Sequence, residues 1–202
     1  MKSLEKIQSL LPIGYLFLVL MGILKESILY YQLGINILKY STIMDILISP
    51  IADLTANPTV LLPTVILFFL LPFLITRFLS AKSNKKWVQK ISGLKKGTEE
   101  LTVEQVKNHF SKLLVLFITI GLLSFFLGIG IGKGQSISKR IKTNNLKFND
   151  KLNFNTGESE NVYIIGLNSA YYFYITKGSQ IIKIAPVGTI KNIELTDNRM
   201  LK

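Results

Sequence analysis

The chain alternates between long apolar stretches and short charged ones. No Asp, Glu, Lys or Arg interrupts residues 7–24, 54–76 or 113–132, runs of 18, 23 and 20 residues. A bilayer core of about 30 Å needs about 20 apolar helical residues at 1.5 Å each. The pattern therefore predicts three transmembrane helices, over about 7–31, 54–79 and 111–132, within a membrane region covering 1–134. Lys2 and Lys6 give the first run a basic start, and Lys25-Glu26-Ser27 follows it in place of a small-x-small cleavage site. It reads as an uncleaved signal anchor. The helix is expected to continue through Tyr30 and Tyr31, whose amphipathic rings suit the headgroup level.

Residues 33–53 stay apolar but carry Lys39, Asp45 and Asp53. Ser41 or Thr42 can cap a short helix that Pro50 would end or kink. Two placements fit: a helix lying in the membrane interface, or one packed on the bundle. In the second span Pro58 suits the first turn. Pro63 and Pro72 remove backbone donors inside it and should bend it.

Residues 80–110 form a basic loop. Trp87, Val88, Ile91 and Leu94 recur at helical spacing among lysines. Lys85, Lys86, Trp87, Lys90, Lys95 and Lys96 are therefore expected to contact anionic lipid. Gly97 breaks this stretch. Thr102 and Gln105 then form a capping-box pattern, and a helix should run from Val103 to about Gly132. On it Ser124, Gly128 and Gly132 stand four apart and share one face. Such a small-residue stripe admits another helix closely, from the same chain or from a second copy.

After Lys133 the texture changes to alternating Asn, Lys, Tyr, Ile and Thr. A small antiparallel all-β domain is expected over 135–202, either a meander or a barrel of SH3-like size. Its predicted strands lie near 151–155, 161–167, 171–176, 180–185 and 189–195, with turns at Asn168-Ser169 and Gly178-Ser179. Val162/Ile164, Tyr171/Phe173/Ile175 and Ile182/Ile184 give period-two faces. A module of about 60 residues has a marginal core, so it should lean on the bundle or on a second copy of itself.

Composition supports this picture: 49 % of residues are hydrophobic, and the mean hydropathy is +0.38. Net charge is +12, from 24 Lys+Arg against 12 Asp+Glu. In a membrane chain such an excess belongs first to cytoplasmic loops touching anionic lipid, and nucleic acid is a disfavoured partner. The N-terminus and second loop carry 11 basic residues, the opposite side 6. The count orients the N-terminus to the cytoplasm and the β domain outside, although Lys133, Lys139, Arg140 and Lys142 argue the other way. With no cysteine, disulfides and thiolate chemistry are excluded. The only Asn-x-Thr triplet, Asn57-Pro58-Thr59, is blocked as a glycosylation acceptor by its proline. Both absences fit a bacterial inner membrane.

Candidate chemistry is sparse. His109 is the only histidine, where a metal site needs several converging ligands. Glu99, Glu100 and Glu104 sit among lysines, which they balance, and paired-carboxylate catalysis would need a cleft. Gly128 to Gly134 lacks the G-K-[ST] ending of a phosphate loop. Tyr163, Tyr172 and Tyr174 form a candidate binding face on the β domain, by stacking. No catalytic, metal or cofactor site is expected. The pattern favours a non-enzymatic membrane protein whose β module binds a membrane protein partner or a second copy. The alternative is a membrane effector or pore with a ligand-sensing β domain in the cytoplasm.

Overall fold

The computed structural model describes residues 2–82, 85, 88 and 103–196. Among the described residues five helices precede a five-stranded sheet: α1 (Lys2–Tyr31), α2 (Ile43–Ala56), α3 (Pro58–Val65), α4 (Leu71–Ala81) and α5 (Val103–Lys142). A 3-10 turn, Ile37–Lys39, lies between α1 and α2, and a π turn, Ile66–Leu70, joins α3 to α4. Among the described residues three stretches are long and apolar enough to cross a membrane: Leu11–Tyr31, Pro58–Ala81 and Lys107–Lys142. The chain divides into two units, residues 1–50 with 126–202 and residues 51–125.

In the first unit α1 packs against α2 and against the C-terminal part of α5. Glycines mark both approaches. A Cβ on Gly130 would fall 2.4 Å from the Lys25 carbonyl oxygen, and one on Gly134 2.5 Å from the Gln32 side chain. Gln32 reaches across and donates to the carbonyls of Gly130 (3.5 Å) and Ile131 (3.3 Å).

Two boundaries differ from the sequence reading. Pro50 neither ends nor interrupts α2, which runs on to Ala56 with Pro50 buried. The Ile46 carbonyl, the bond partner a proline at 50 cannot serve, lies against Gly22 instead. Residues 135–142, read as the start of the β domain, extend α5. Gln, Ser, Lys and Arg are compatible with a helix, so polarity there marks the end of the apolar run and not of the helix.

The sheet holds β1 (Asp150–Phe154), β2 (Ser159–Leu167), β3 (Tyr171–Thr176), β4 (Ile182–Pro186) and β5 (Ile190–Leu195). All pairs are antiparallel, in the order β4-β3-β2-β1-β5, leaving β4 and β5 at the edges of an open sheet. Gly178 sits in the β3–β4 turn at φ +83°, a left-handed conformation glycine adopts without strain. The alternation the sequence shows becomes two apolar layers. Leu152, Val162, Tyr174 and Ala185 form one, with Phe154, Ile164, Tyr172, Ile190 and Ile193 packed on it. On the other, Phe173 is buried with Leu29, Tyr30 and Ile37, joined by Ile165, Tyr171 and Ile184. The second layer is where the sheet leans on the end of α1.

In the second unit Phe68, in the π turn, is the buried anchor. Its ring lies 5.8 Å from Phe125 and 6.4 Å from Phe117. A Cβ on Gly121 would fall 2.5 Å from it, so the small residue admits the ring. The π turn fills the stretch between Pro63 and Pro72, so the helix accommodates its prolines by widening. Leu62, Phe69, Phe73, Ile75 and Phe78 remain exposed, as do Val115, Leu116 and Ile120 on α5. Apolar surface of this extent suits lipid. Val88, Phe110 and Leu79 form a separate small cluster.

Candidate functional site

The densest polar arrangement gathers α1, α2 and one turn of the sheet. Lys25 and Glu26 lie inside α1 near its end, beyond the uninterrupted apolar run but within the stretch Leu11–Tyr31 that is long and apolar enough to cross a membrane. Lys25 is only 3 % exposed. Its ammonium pairs with the Glu26 carboxylate at 2.8 Å and donates to the Ser49 carbonyl at 3.4 Å. The Ser49 hydroxyl bridges the pair, accepting from Lys25 and donating to Glu26. A buried charge needs such partners, and here they tie α1 to α2.

One helical turn earlier on α2, Thr42 and Asp45 form a reciprocal cap. The Asp45 N–H donates to Thr42 Oγ1 (3.2 Å), while the Thr42 N–H donates to the carboxylate (2.8 Å). The β2–β3 turn uses the same carboxylate: Ser169 donates to it through its N–H and its hydroxyl, each at 3.0 Å. Partial burial works to raise the Asp45 pKa, but the hydrogen bonds from Thr42 and Ser169 outweigh it and hold the carboxyl below the usual range. Asn168 adds donations to the Tyr40 carbonyl (3.0 Å) and the Ser41 hydroxyl (3.2 Å). Its own side-chain oxygen accepts from the N–H groups of Ala170 and Tyr171, which shapes the turn.

Aromatic rings complete the junction. Tyr30 lies 5.1 Å from Phe173, and Tyr40 meets Tyr171 and Phe173 edge-on at 5.5 and 5.9 Å. A Cβ on Gly166 would fall 2.3 Å from the Tyr30 hydroxyl oxygen. Any larger residue there would have to displace the Tyr30 ring, at the position where β2 shifts register against β3.

The sequence-derived sites fall as follows. Ser124, Gly128 and Gly132 are exposed, and a Cβ on either glycine would meet nothing within 4 Å. Packing within the chain uses Gly130 and Gly134 instead, two residues out of phase and so on another face of the helix. Lys85 is exposed; Lys86, Trp87, Lys90, Lys95 and Lys96 lie outside the described residues, as do Glu99, Glu100 and Thr102. His109 is half-buried beside the Phe110 ring, 5.9 Å away. Among the described residues no three His, Asp or Glu side chains converge as metal ligands.

Tyr163, Tyr172 and Tyr174 do not form one face. Tyr174 is 4 % exposed in the sheet's own layer, with Tyr172 packed against it. Tyr163 pairs with Ile175, one position out of phase with the Ile164–Tyr174 pair, and so lies on the opposite side of the sheet. Burial, aided by the nearby Glu160 charge, pushes the Tyr174 pKa up. Glu160 pairs with Lys183 at 2.7 Å, and that hydrogen bond raises the Lys183 pKa.

Sequence reasoning missed the Lys25–Glu26–Ser49 cluster and the Asp45–Ser169 link. A signal for the first exists: apolar residues resume after Lys25-Glu26-Ser27, with Ile28, Leu29 and Tyr30. Nothing in the sequence pairs Asp45 with a serine so far along the chain. No known family model, curated protein or solved structure matches the chain significantly.

Proposed function

We propose that this is a non-enzymatic integral membrane protein whose C-terminal β module mediates association at the membrane, with a membrane protein partner or a second copy. One observation carries the reading: both layers of the sheet are used within the chain, while among the described residues its two edges are not. β4 and β5 each have a neighbour on one side only. Leu167, Ile181 and Leu195, near the strand ends, are 61–72 % exposed. An open edge offers a row of backbone donors and acceptors to an added strand.

The three apolar helices support a bilayer location, the missing cysteines and glycosylation acceptors fit a bacterial inner membrane, and the basic residues favour an N-terminus in the cytoplasm. The sheet, docked on the α1–α2 connection, then lies outside. Its strand order, with a 3-10 turn (Val187–Thr189) between β4 and β5, supports an SH3-like barrel variant. The Asp45–Ser169 link favours a second reading, a membrane effector in which a ligand on a cytoplasmic sheet acts on α2.

The cysteine-free chain makes the test direct. Asn192→Cys places a single thiol on the β5 edge, where oxidation should yield a cross-linked dimer or a covalent complex with a membrane protein. A strictly monomeric, partner-free protein after mild detergent extraction would overturn the association reading. A reporter fused after Lys202 separates the two orientations.

A further inference from the structure

We propose that the groove between the ends of α1 and α5 binds the phosphodiester headgroup of an anionic membrane lipid. The inference rests on the membrane placement proposed above. Gln32, Gln135, Ser138, Lys139, Lys142 and Thr143 line an open groove of about 560 Å³. The α5 residues among them are spaced at three and four, so they share one face. That face begins directly beyond the last apolar turn, where the helix leaves hydrocarbon and headgroups begin. Four of these side chains have a donor to spare: the Lys139 and Lys142 ammoniums, the Ser138 hydroxyl and the Gln135 amide. None is a carboxylate, so the groove is built for a negative guest. Neither Lys139 nor Lys142 makes an ion pair with a described carboxylate.

The bland role for lysines at a helix end is to complement its last carbonyls. Here the carbonyls of Lys139, Arg140 and Ile141 are already engaged. Thr143 donates to the Lys139 carbonyl through both its N–H (3.0 Å) and its hydroxyl (2.9 Å). The N–H groups of Asn145 and Asn144 reach the carbonyls of Arg140 (2.9 Å) and Ile141 (3.2 Å). The ammoniums are left for a ligand. On the opposite wall Gln32 is held by its bonds to Gly130 and Ile131, which fixes the width of the groove. A phosphate held by two lysines and the Ser138 hydroxyl, with acyl chains passing down beside the apolar part of α5, satisfies both chemistries.

The test uses the full chain, purified in detergent, delipidated and titrated with short-chain phosphatidylglycerol, phosphatidylcholine or inorganic phosphate, with adducts read by native mass spectrometry. Phosphatidylglycerol should be retained over phosphatidylcholine by about tenfold or more, since each juxtamembrane lysine contributes about fivefold. Lys139→Gln with Lys142→Gln should abolish that preference. Lys147→Gln with Lys177→Gln, both exposed on the sheet side, should keep it. Equal retention of the two lipids, an unchanged preference in the first double variant, or displacement by inorganic phosphate at similar concentration would each overturn the proposal. Recovery of the protein from washed membranes without detergent would instead overturn the membrane placement, a separate outcome.

Discussion

Gly22 faces the backbone of Ile46 so closely that a methyl group at Gly22 would sit 2.0 Å from the Ile46 carbonyl oxygen. That carbonyl is the one Pro50 leaves without its intrahelical partner. Two residues on different helices thus solve one problem: the proline frees an acceptor, and the glycine lets a neighbouring backbone cover it. Gly22→Ala should therefore destabilise the α1–α2 pair by about 1–3 kcal/mol, measured as thermal unfolding in detergent. Gly14→Ala, where an added Cβ would meet nothing within 4 Å, should leave the midpoint unchanged or raise it.

The two glycine faces of α5 should separate experimentally. Gly130→Val and Gly134→Val collide with α1 and should lower stability. Gly128→Val and Gly132→Val should not, because their surroundings within the chain are open. Should the outward stripe serve a second copy, the latter pair would shift the oligomer distribution in blue-native gels while leaving the unfolding midpoint in place.

Lys25→Met should be costly. It leaves the Glu26 carboxylate beside Ser49 without its ammonium, and losing one partner of a buried pair costs about 3–5 kcal/mol. Lys39→Met, at an exposed position, should cost little. A similar midpoint for both variants in a thermal scan would show that the buried pair contributes nothing.

The junction of the sheet with α2 should weaken in acid. The hydrogen bonds at Asp45 lower its folded pKa, so its contribution is present above the unfolded value of about 3.9 and is lost as pH falls through the lower folded value. Protection of the Ser169 amide from hydrogen exchange should drop across that window. In Asp45→Asn it should be weaker at neutral pH and show no such step.

Phe173→Ala should detach the sheet from α1. The ring is fully buried between Tyr30 and Tyr40, and truncating it should cost about 3–5 kcal/mol. Limited proteolysis should then cut within 143–149.

The three long apolar helices and the strands were legible in the sequence because each rests on a local rule. A charge-free run of sufficient length has few alternatives to a span, and alternation in Tyr171–Thr176 fixed the faces of that strand. What the sequence left open depends on partners distant along the chain. Tyr174 and Tyr163 have the same chemistry, and only strand register assigns one to the interior. Glycines at 128/132 and 130/134 show the same spacing, and only the position of α1 selects between them. Pro50 carries a breaking signal that a neighbouring glycine neutralises. The Asp45–Ser169 link joins residues 124 positions apart, beyond the reach of any periodic pattern.

The docking of the sheet on the α1–α2 connection has a consequence for biogenesis. Tyr30, Ile37 and Tyr40 emerge from the ribosome early, yet Phe173 and Tyr171, which cover them, are made more than a hundred residues later. Until then the nascent protein presents a bare aromatic patch at the rim of its first helix. Closing so long a loop is slow compared with local folding. A stop codon before β3 would make the delay permanent, leaving a truncated product whose first helix ends in uncovered tyrosines that attract chaperones or quality-control proteases.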